Sequence, residues 1–164
     1  DTPVLVATTR GRVKMLSTLI TAGANLNKRN SDGMSPVMIA VLNGELGILR
    51  LLCDYKRMGG DIDLDQGENR YGDTPMLIAT ARGEVEMLSA LIAAGADLNK
   101  ENNRGNTPAI IAAAKGKVGA LRLLVQNGAD LHKKNNNGVS AVSVRFKENN
   151  AQIAQLINNA TRRE

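Results

Sequence analysis

The sequence has little of what catalytic and metal-binding sites are usually built from. It contains one cysteine (Cys53), one histidine (His132) and no tryptophan, and its only aromatic residues are Tyr55, Tyr71 and Phe146. A single histidine leaves no convincing Ser–His–Asp or Cys–His set to assemble. A single cysteine excludes an intrachain disulfide and favours a reducing compartment. We therefore predict a non-enzymatic intracellular protein, cytoplasmic or nuclear, without metal or cofactor.

Long apolar runs are also missing. No stretch approaches the ~20 apolar residues that a membrane-spanning helix needs, and no signal-peptide pattern opens the chain. We expect no membrane association. The chain starts at Asp1-Thr2-Pro3, directly at a helix cap, and we interpret it as a segment of a longer protein.

Three features are weak candidates for chemistry. His132 lies in a polar loop with no Cys or acidic cluster beside it, so we expect a surface residue. Cys53 falls at an apolar repeat position, so we expect a small core residue. Asp61-x-Asp63-x-Asp65 is similar to the start of a calcium loop, but Gln66 and Gly72 occupy the positions that require Gly and Glu. We instead assign Asp61 and Asp63 to the Asp and Asn positions of a sequence repeat, the positions that Asp97 and Asn99 occupy in residues 74–106.

What the sequence does contain is a repeat. The stretch TPMLIATARGEVEMLSALIAAGADLNKENNRGN, residues 74–106, recurs with onsets at residues 2, 35, 74, 107 and 140. A fixed period in this range predicts a solenoid. We divide the single domain, 1–164, into units 2–34, 35–73, 74–106, 107–139 and 140–164, the last being a C-terminal cap. The second unit carries six extra residues, about three in its second helix and about three in the loop 61–73.

Local signals predict two short helices in each unit. Thr74 can cap the first helix, Pro75 suits its first position, and Gly83 can end it. The apolar spacing predicts a second helix over Val85–Ala93, which Gly95 ends. Helices shorter than ~12 residues are marginal alone in water, so the units must stack. The same signals predict a last helix at about 151–159, followed by a frayed end.

The motif resembles the ankyrin repeat. The T-P-x-x-x-A start, the internal Gly, the paired Leu and the G-A-D-x-N exit are shared with that family. They are carried in the third unit by Thr74, Pro75, Ala79, Gly83, Leu88, Leu91, Gly95, Ala96, Asp97 and Asn99. The resemblance implies an all-α ankyrin-repeat solenoid of stacked helix-turn-helix units joined by hairpin-like loops.

Two details of the resemblance concern the loops. The family's usual His, two residues after the Pro, is replaced by Leu5, Met38, Leu77, Ile110 and Ser143. Because that His normally ties neighbouring loops together, we expect more apolar packing and looser loops. Asn27 and Asn99 resemble asparagines that are hydroxylated in animal ankyrin repeats, but we expect them to hydrogen-bond within the loops.

The resemblance also implies a partner surface, the concave side formed by the loops and the first-helix ends. The candidate partner-binding residues are Arg10, Arg29, Leu42, Asn43, Arg70, Tyr71, Arg82, Arg104, Lys115, Lys134 and Lys147. Most are basic, and a row of like charge attracts acidic partners. We therefore predict a monomeric protein–protein interaction module that binds an acidic or mixed segment. Nucleic-acid binding, and substrate docking for an enzyme in the flanking sequence, remain the alternatives.

Overall fold

The computed structural model describes residues 2–144 and 151–162. Within these ranges every regular element is a helix. The helices are α1 (Pro3–Thr9), α2 (Val13–Thr21), α3 (Pro36–Leu42), α4 (Leu46–Arg57), α5 (Pro75–Arg82), α6 (Val85–Ala93), α7 (Pro108–Ala114), α8 (Val118–Gln126) and α9 (Ala151–Thr161). None of these described helices is long and apolar enough to cross a membrane.

The helices form two layers that follow the order of the chain. The first helices α1, α3, α5 and α7 pack on one another in sequence, and the second helices α2, α4, α6, α8 and α9 do the same. Within each of the first four units, the first helix contacts the second helix. The predicted all-α solenoid fold is therefore confirmed.

Each first helix begins in the way that the Thr-Pro signal predicts. The hydroxyl oxygens of Thr2, Ser35, Thr74 and Thr107 accept hydrogen bonds from backbone amides three residues later, at 3.2–3.3 Å. Each cap is followed by a proline at the first helical position, where no amide is needed. The predicted second helix of the third unit, Val85–Ala93, is also observed.

Small side chains allow the first helices to approach closely. Ala7, Ala40, Ala79 and Ala112 occupy the same position in four units, and all are fully buried. The second helices contribute the larger apolar side chains, such as Leu91, which is also fully buried. Burying a leucine side chain stabilises the fold by roughly 1.5–3 kcal/mol, so the core is a sum of many such contacts between neighbouring units.

The position of Met15 shows how much of this burial depends on neighbours. Met15 is 47% exposed, whereas the equivalent Ile48, Met87 and Ala120 are 0%, 5% and 1% exposed. In the second to fourth units the second helix that carries this position contacts the second helix of the preceding unit. This repeat position is buried in three of the four units and exposed in the first. Its burial therefore comes from stacking on a neighbouring unit and not from its own unit.

The second unit is longer in both its helix and its loop. Helix α4 has 12 residues and α2 has 9, and both are followed by a glycine with positive φ, Gly59 and Gly23. Helix α9 extends to Thr161, two residues beyond the end that we expected, so the helix continues into the part of the chain that we expected to fray. The candidate residue Lys147 lies outside the described residues.

Candidate partner-binding surface

The candidate residues fall into two rows. Arg10, Asn43, Arg82 and Lys115 lie at the ends of the first helices, and all four are exposed, while Leu42 beside them is partly buried. Arg29, Arg70, Tyr71, Arg104 and Lys134 lie in the loops that connect the units, and they are exposed as well. The structure therefore places these described residues at the surface, in neighbouring units.

Two side chains of the row at the first-helix ends already donate hydrogen bonds to the preceding unit. Nη1 of Arg82 donates to the carbonyl oxygens of Val41 and Leu42, at 3.1 and 2.8 Å, at the carboxyl end of α3. Nδ2 of Asn43 approaches the carbonyl oxygen of Thr9 at 3.4 Å in the same way. The last carbonyls of a helix lack intrahelical partners, so these side chains cap the preceding unit's helix.

Arg29 also has a structural role. Its Nε donates to the carbonyl oxygen of Gly33 at 2.5 Å, and its Nη2 donates to the carbonyl oxygen of Gly67 and to Oδ1 of Asn69 at 2.6 and 3.1 Å. Arg29 therefore connects the first loop to the second. Its guanidinium group is largely occupied, although the residue is exposed.

Asparagine and aspartate side chains connect successive loops. Oδ1 of Asn27 accepts from the amide of Asp63, Oδ1 of Asp65 accepts from Asp97, and Oδ1 of Asn99 accepts from Asp130, at 2.8–2.9 Å. The apolar replacements are buried as expected, with Leu77 only 2% exposed. The expectation of looser loops is therefore wrong. Each loop is hydrogen-bonded to the next.

These bonds also correct the alignment of the long loop. In the third unit Oδ1 of Asp97 accepts from the amide of Asn99, two residues later. In the second unit the equivalent bond joins Asp63 and Asp65, at 2.9 Å. Asp63 and Asp65, and not Asp61 and Asp63, therefore occupy the repeat's Asp and Asn positions, because two extra residues follow Gly59.

The hairpin at residues 68–73 is one residue longer than its counterparts. In the third loop the amide of Gly105 bonds the carbonyl oxygen of Asn102, three residues before it. In the second loop the amide of Gly72 bonds the carbonyl oxygen of Glu68, four residues before it. The extra residue lies at the tip, beside Tyr71.

Glu68 holds this longer hairpin together. Its carboxylate accepts from the amide of Arg70 at 2.6 Å, from that of Tyr71, and from that of Asp73 at 3.4 Å. Burial would raise the pKa of Glu68, but the bonds from backbone amides outweigh it, so the pKa lies below its usual value. In the other loops an asparagine such as Asn102 accepts the equivalent amide bonds. In the wider turn of the second loop, the Glu68 carboxylate accepts the amide bonds that an asparagine side chain accepts in the other loops.

Tyr71 is the one aromatic side chain of this hairpin, and it is exposed. It is 40% exposed, and the guanidinium carbons of Arg70 and Arg104 lie 5.0 and 5.5 Å from its ring centroid. Both distances are within the range of a cation–π contact. The amide of Asn103 bonds the Tyr71 carbonyl oxygen at 2.9 Å, so the third loop supports the second.

Comparison with known proteins identifies the architecture. A family model described as "Ankyrin repeats (3 copies)" matches residues 1–66 and 58–135. The chain belongs to the ankyrin-repeat family.

Several ankyrin-repeat relatives are long proteins. The chain is 31% identical over 101 residues to the nuclear factor NF-kappa-B p105 subunit of Gallus gallus, covering 62% of this chain and 10% of that protein. It is 31% identical over 96 residues to the transient receptor potential cation channel subfamily A member 1 of Homo sapiens, covering 58% and 8%. It is 32% identical over 95 residues to the human ankyrin repeat and SOCS box protein 2, covering 58% and 14%. The match therefore spans about a tenth of the length of these relatives.

The membership in this family has a general functional meaning. Ankyrin repeats are generally protein–protein interaction modules, and the family is generally non-catalytic. The three relatives have different names, and each covers 58–62% of this chain, so the repeat is what the comparison shows them to share.

The two rare side chains fit the ankyrin core and loops. Cys53 is 3% exposed, and burial first and the nearby Asp54 second raise the pKa of its thiol to about 11. His132 is exposed in its loop, and its amide donates to Oδ1 of Asp130 at 2.8 Å. Neither is placed like a nucleophile, and the described residues hold no cluster of three potential metal ligands.

Sequence reasoning missed three residues that shape this surface. Glu68, Asn69 and Asn103 are not among the candidate residues that the sequence indicates. The sequence signal for Asn69 and Asn103 is their place two or three residues before a hairpin glycine, Gly72 or Gly105. The signal for Glu68 is that it begins the one longer hairpin, where the other hairpins begin with Asn. The spacing from Glu68 to Gly72, compared with that from Asn102 to Gly105, would have located the extra residue.

Proposed function

We propose that this ankyrin-repeat segment is a non-catalytic, monomeric binding module that holds an acidic or mixed segment of an intracellular partner along its loops and first-helix ends. The observation that carries the proposal is a set of exposed cations without carboxylate partners. Among the described residues no carboxylate lies within 4.0 Å of the side-chain nitrogens of Arg10, Arg70, Arg104, Lys115 or Lys134. Uncompensated charge of one sign, repeated along a solenoid, attracts segments of the opposite sign.

The charge of the chain supports an acidic partner. The formal net charge is +5, and the sequence pI is about 9.6. The other basic residues of the two rows are already engaged, since Arg82 caps α3 and Arg29 connects two loops. The residues with free charge therefore lie in the hairpins of the second to fourth units and at the ends of α1 and α7.

The experiment is affinity capture from a cell lysate with the wild-type segment and with a charge-reversed form, Arg104→Glu/Lys115→Glu. We expect the reversed form to lose the captured partner and to retain its helical circular dichroism spectrum. The matched control is Lys14→Glu/Arg122→Glu, which changes the net charge equally at exposed positions of α2 and α8. Equal capture by the wild-type and reversed forms would contradict the proposal.

Nucleic-acid binding is the alternative that the net charge favours. A gel shift at physiological salt separates the two functions, because binding to phosphates weakens steeply as salt increases. Tight binding to generic DNA or RNA under that condition would replace the protein-partner proposal. Docking of a substrate for an enzyme in the flanking sequence would still use the same protein-binding surface.

A further inference from the structure

The lengthened hairpin carries a cluster that no other described loop has. Tyr71 projects from its tip, and the guanidinium groups of Arg70 and Arg104 lie over the same ring. We name Arg70, Tyr71 and Arg104 the Arg–Tyr–Arg cluster. Its two arginines come from consecutive units, so the stacking of the second and third loops creates it. Asn103, which bonds the Tyr71 carbonyl oxygen, fixes that stacking.

The arginines of the cluster are held by the ring and have no anionic partner. In the part of the chain that the structure describes, neither guanidinium group has a carboxylate within 4.0 Å. The carboxylate of Glu68, two residues before Arg70, is occupied by the amides of Arg70, Tyr71 and Asp73. A guanidinium group stacked on an aromatic ring keeps its N–H edges available for a carboxylate.

Stacking also lowers the cost of binding. A flexible arginine loses rotamer freedom when it binds an anion, and a ring contact removes part of that freedom beforehand. An exposed tyrosine adds rigid apolar area beside the charges, which is typical of residues that dominate binding energy. The cluster therefore combines two oriented cations with one apolar contact.

We propose that the Arg–Tyr–Arg cluster is the principal binding site for the partner, and that it takes an extended peptide segment in which two acidic residues are separated by one other residue. This proposal deepens the proposed function and rests on it. In an extended segment, residues i and i+2 face the same side and lie about 6.6 Å apart. Both guanidinium carbons lie within 5.5 Å of the ring centroid, so we expect two carboxylates on one face of the peptide to bind one guanidinium group each.

The chemistry of the cluster favours a peptide over a nucleic acid. Single-stranded nucleic acids bind by stacking successive bases on several aromatic side chains. Here one tyrosine is available, and its ring already contacts two guanidinium groups. A carboxylate pair needs no free ring face, so it fits the cluster as it stands.

The test is a titration of the isotope-labelled segment with a blocked synthetic peptide, Gly-Gly-Glu-Ala-Glu-Gly-Gly, followed by amide chemical shifts at low salt. We expect the largest shift changes at residues 70–72 and 103–105. Replacing both glutamates of the peptide with glutamine should abolish them. The variant Arg70→Gln/Arg104→Gln should weaken binding about tenfold or more, and Tyr71→Leu should weaken it as well.

The matched control is Lys14→Gln/Arg122→Gln, which removes the same amount of charge from exposed helix positions and should leave the affinity within about twofold. Retained dispersion of the amide spectrum in every variant shows that the fold is intact. The proposal is overturned if the cluster variants bind the peptide as tightly as the wild type. It is also overturned if the glutamine peptide binds equally well.

Two further outcomes separate this inference from the proposed function. Shift changes at the ends of α1 and α7, without changes at the cluster, would overturn the cluster as the site and leave an acidic-partner module in place. An absence of any shift at millimolar peptide would overturn the cluster proposal, while lysate capture that depends on Arg104 and Lys115 would still support the proposed function. Tighter binding of a single-stranded oligonucleotide at the cluster would replace the peptide with a nucleic acid.

Discussion

Arg82 provides a direct test of how neighbouring ankyrin units are joined. Nη1 of Arg82 donates to the carbonyl oxygens of Val41 and Leu42 at 3.1 and 2.8 Å, and another Nη1 contact reaches Oε1 of Glu84 at 3.6 Å. The substitution Arg82→Gln keeps a polar side chain and removes the reach and the charge. It should therefore remove the bonds to the end of α3.

The expected loss of stability follows from those bonds. A hydrogen bond from a charged donor contributes about 1.5–3 kcal/mol when it is well protected from water. The Arg82 side chain is 42% exposed, so solvent competes for its donors and screens its charge. We expect Arg82→Gln to lower the free energy of unfolding by about 1 kcal/mol.

Lys115 is the matched comparison. It follows α7 as Arg82 ends α5, and it is exposed in the same way. No hydrogen bond or ion pair joins its side chain to the other described residues. We therefore expect Lys115→Gln to change the free energy of unfolding by less than about 0.5 kcal/mol.

Urea unfolding followed by circular dichroism measures the difference. With a slope of about 2 kcal/mol per M, a loss of about 1 kcal/mol lowers the urea midpoint by about 0.5 M. The slope should be the same for both variants, because each retains one cooperative transition. Equal midpoints for Arg82→Gln and Lys115→Gln would refute the inference that Arg82 joins two units. Mutagenesis of partner binding should accordingly use Lys115 and not Arg82.

Three further predictions concern the core and the long hairpin. Thr80 is fully buried, and its hydroxyl has no partner among the described residues. Thr80→Val should therefore raise the free energy of unfolding by about 1 kcal/mol, and the urea midpoint by about 0.5 M, since the equivalent residue one unit earlier is Val41. Gly72 has φ +69°, and a Cβ there would lie 2.5 Å from Oδ1 of Asn103, so Gly72→Ala should cost about 1–3 kcal/mol in the same assay, and an unchanged midpoint would contradict the geometry. The pKa of Glu68 is lower in the folded state, so its stabilisation is complete above the unfolded value of about 4.3 and is lost as pH falls through the folded pKa. The stability gap between wild type and Glu68→Gln should therefore be largest near neutral pH and should close as pH falls through the folded pKa of Glu68, and a constant gap would show that the carboxylate charge is not responsible.

Much of the architecture could be predicted because its signals are local and recur. A Thr-Pro pair such as Thr74-Pro75 carries both the cap and the first helical position, so the helix start does not depend on distant residues. Gly83 ends α5 with φ +78°, a left-handed conformation that glycine adopts readily. The end of this helix therefore depends on the local backbone and can be predicted from the glycine. Repetition then multiplies each signal, which makes the stacking order predictable as well.

The candidate surface was less predictable because its residues act through their neighbours. Arg82 has the same character in the sequence as Lys115, yet only Arg82 reaches the carbonyls of the preceding unit. The repeat's Asp and Asn positions in the long loop were predicted two residues too early, because Asp occurs at every second position in Asp61, Asp63 and Asp65. The sequence alone does not show which of these residues bond to the neighbouring loops. The role of Glu68 depends on a turn that is one residue wider than the others.

The order of residues along the chain was sufficient to determine the repeat, its helices and the two-layer stack, because caps, glycines and apolar spacing act within a few residues of where they stand. The tertiary structure alone decided which cations are free to meet a partner. Arg29 and Arg82 are engaged by the adjacent unit, whereas Arg70 and Arg104 converge on Tyr71. Apart from the contact between the adjacent residues Arg70 and Tyr71, these contacts join residues more than thirty positions apart. They therefore depend on how one unit packs on the next, which no local sequence pattern shows.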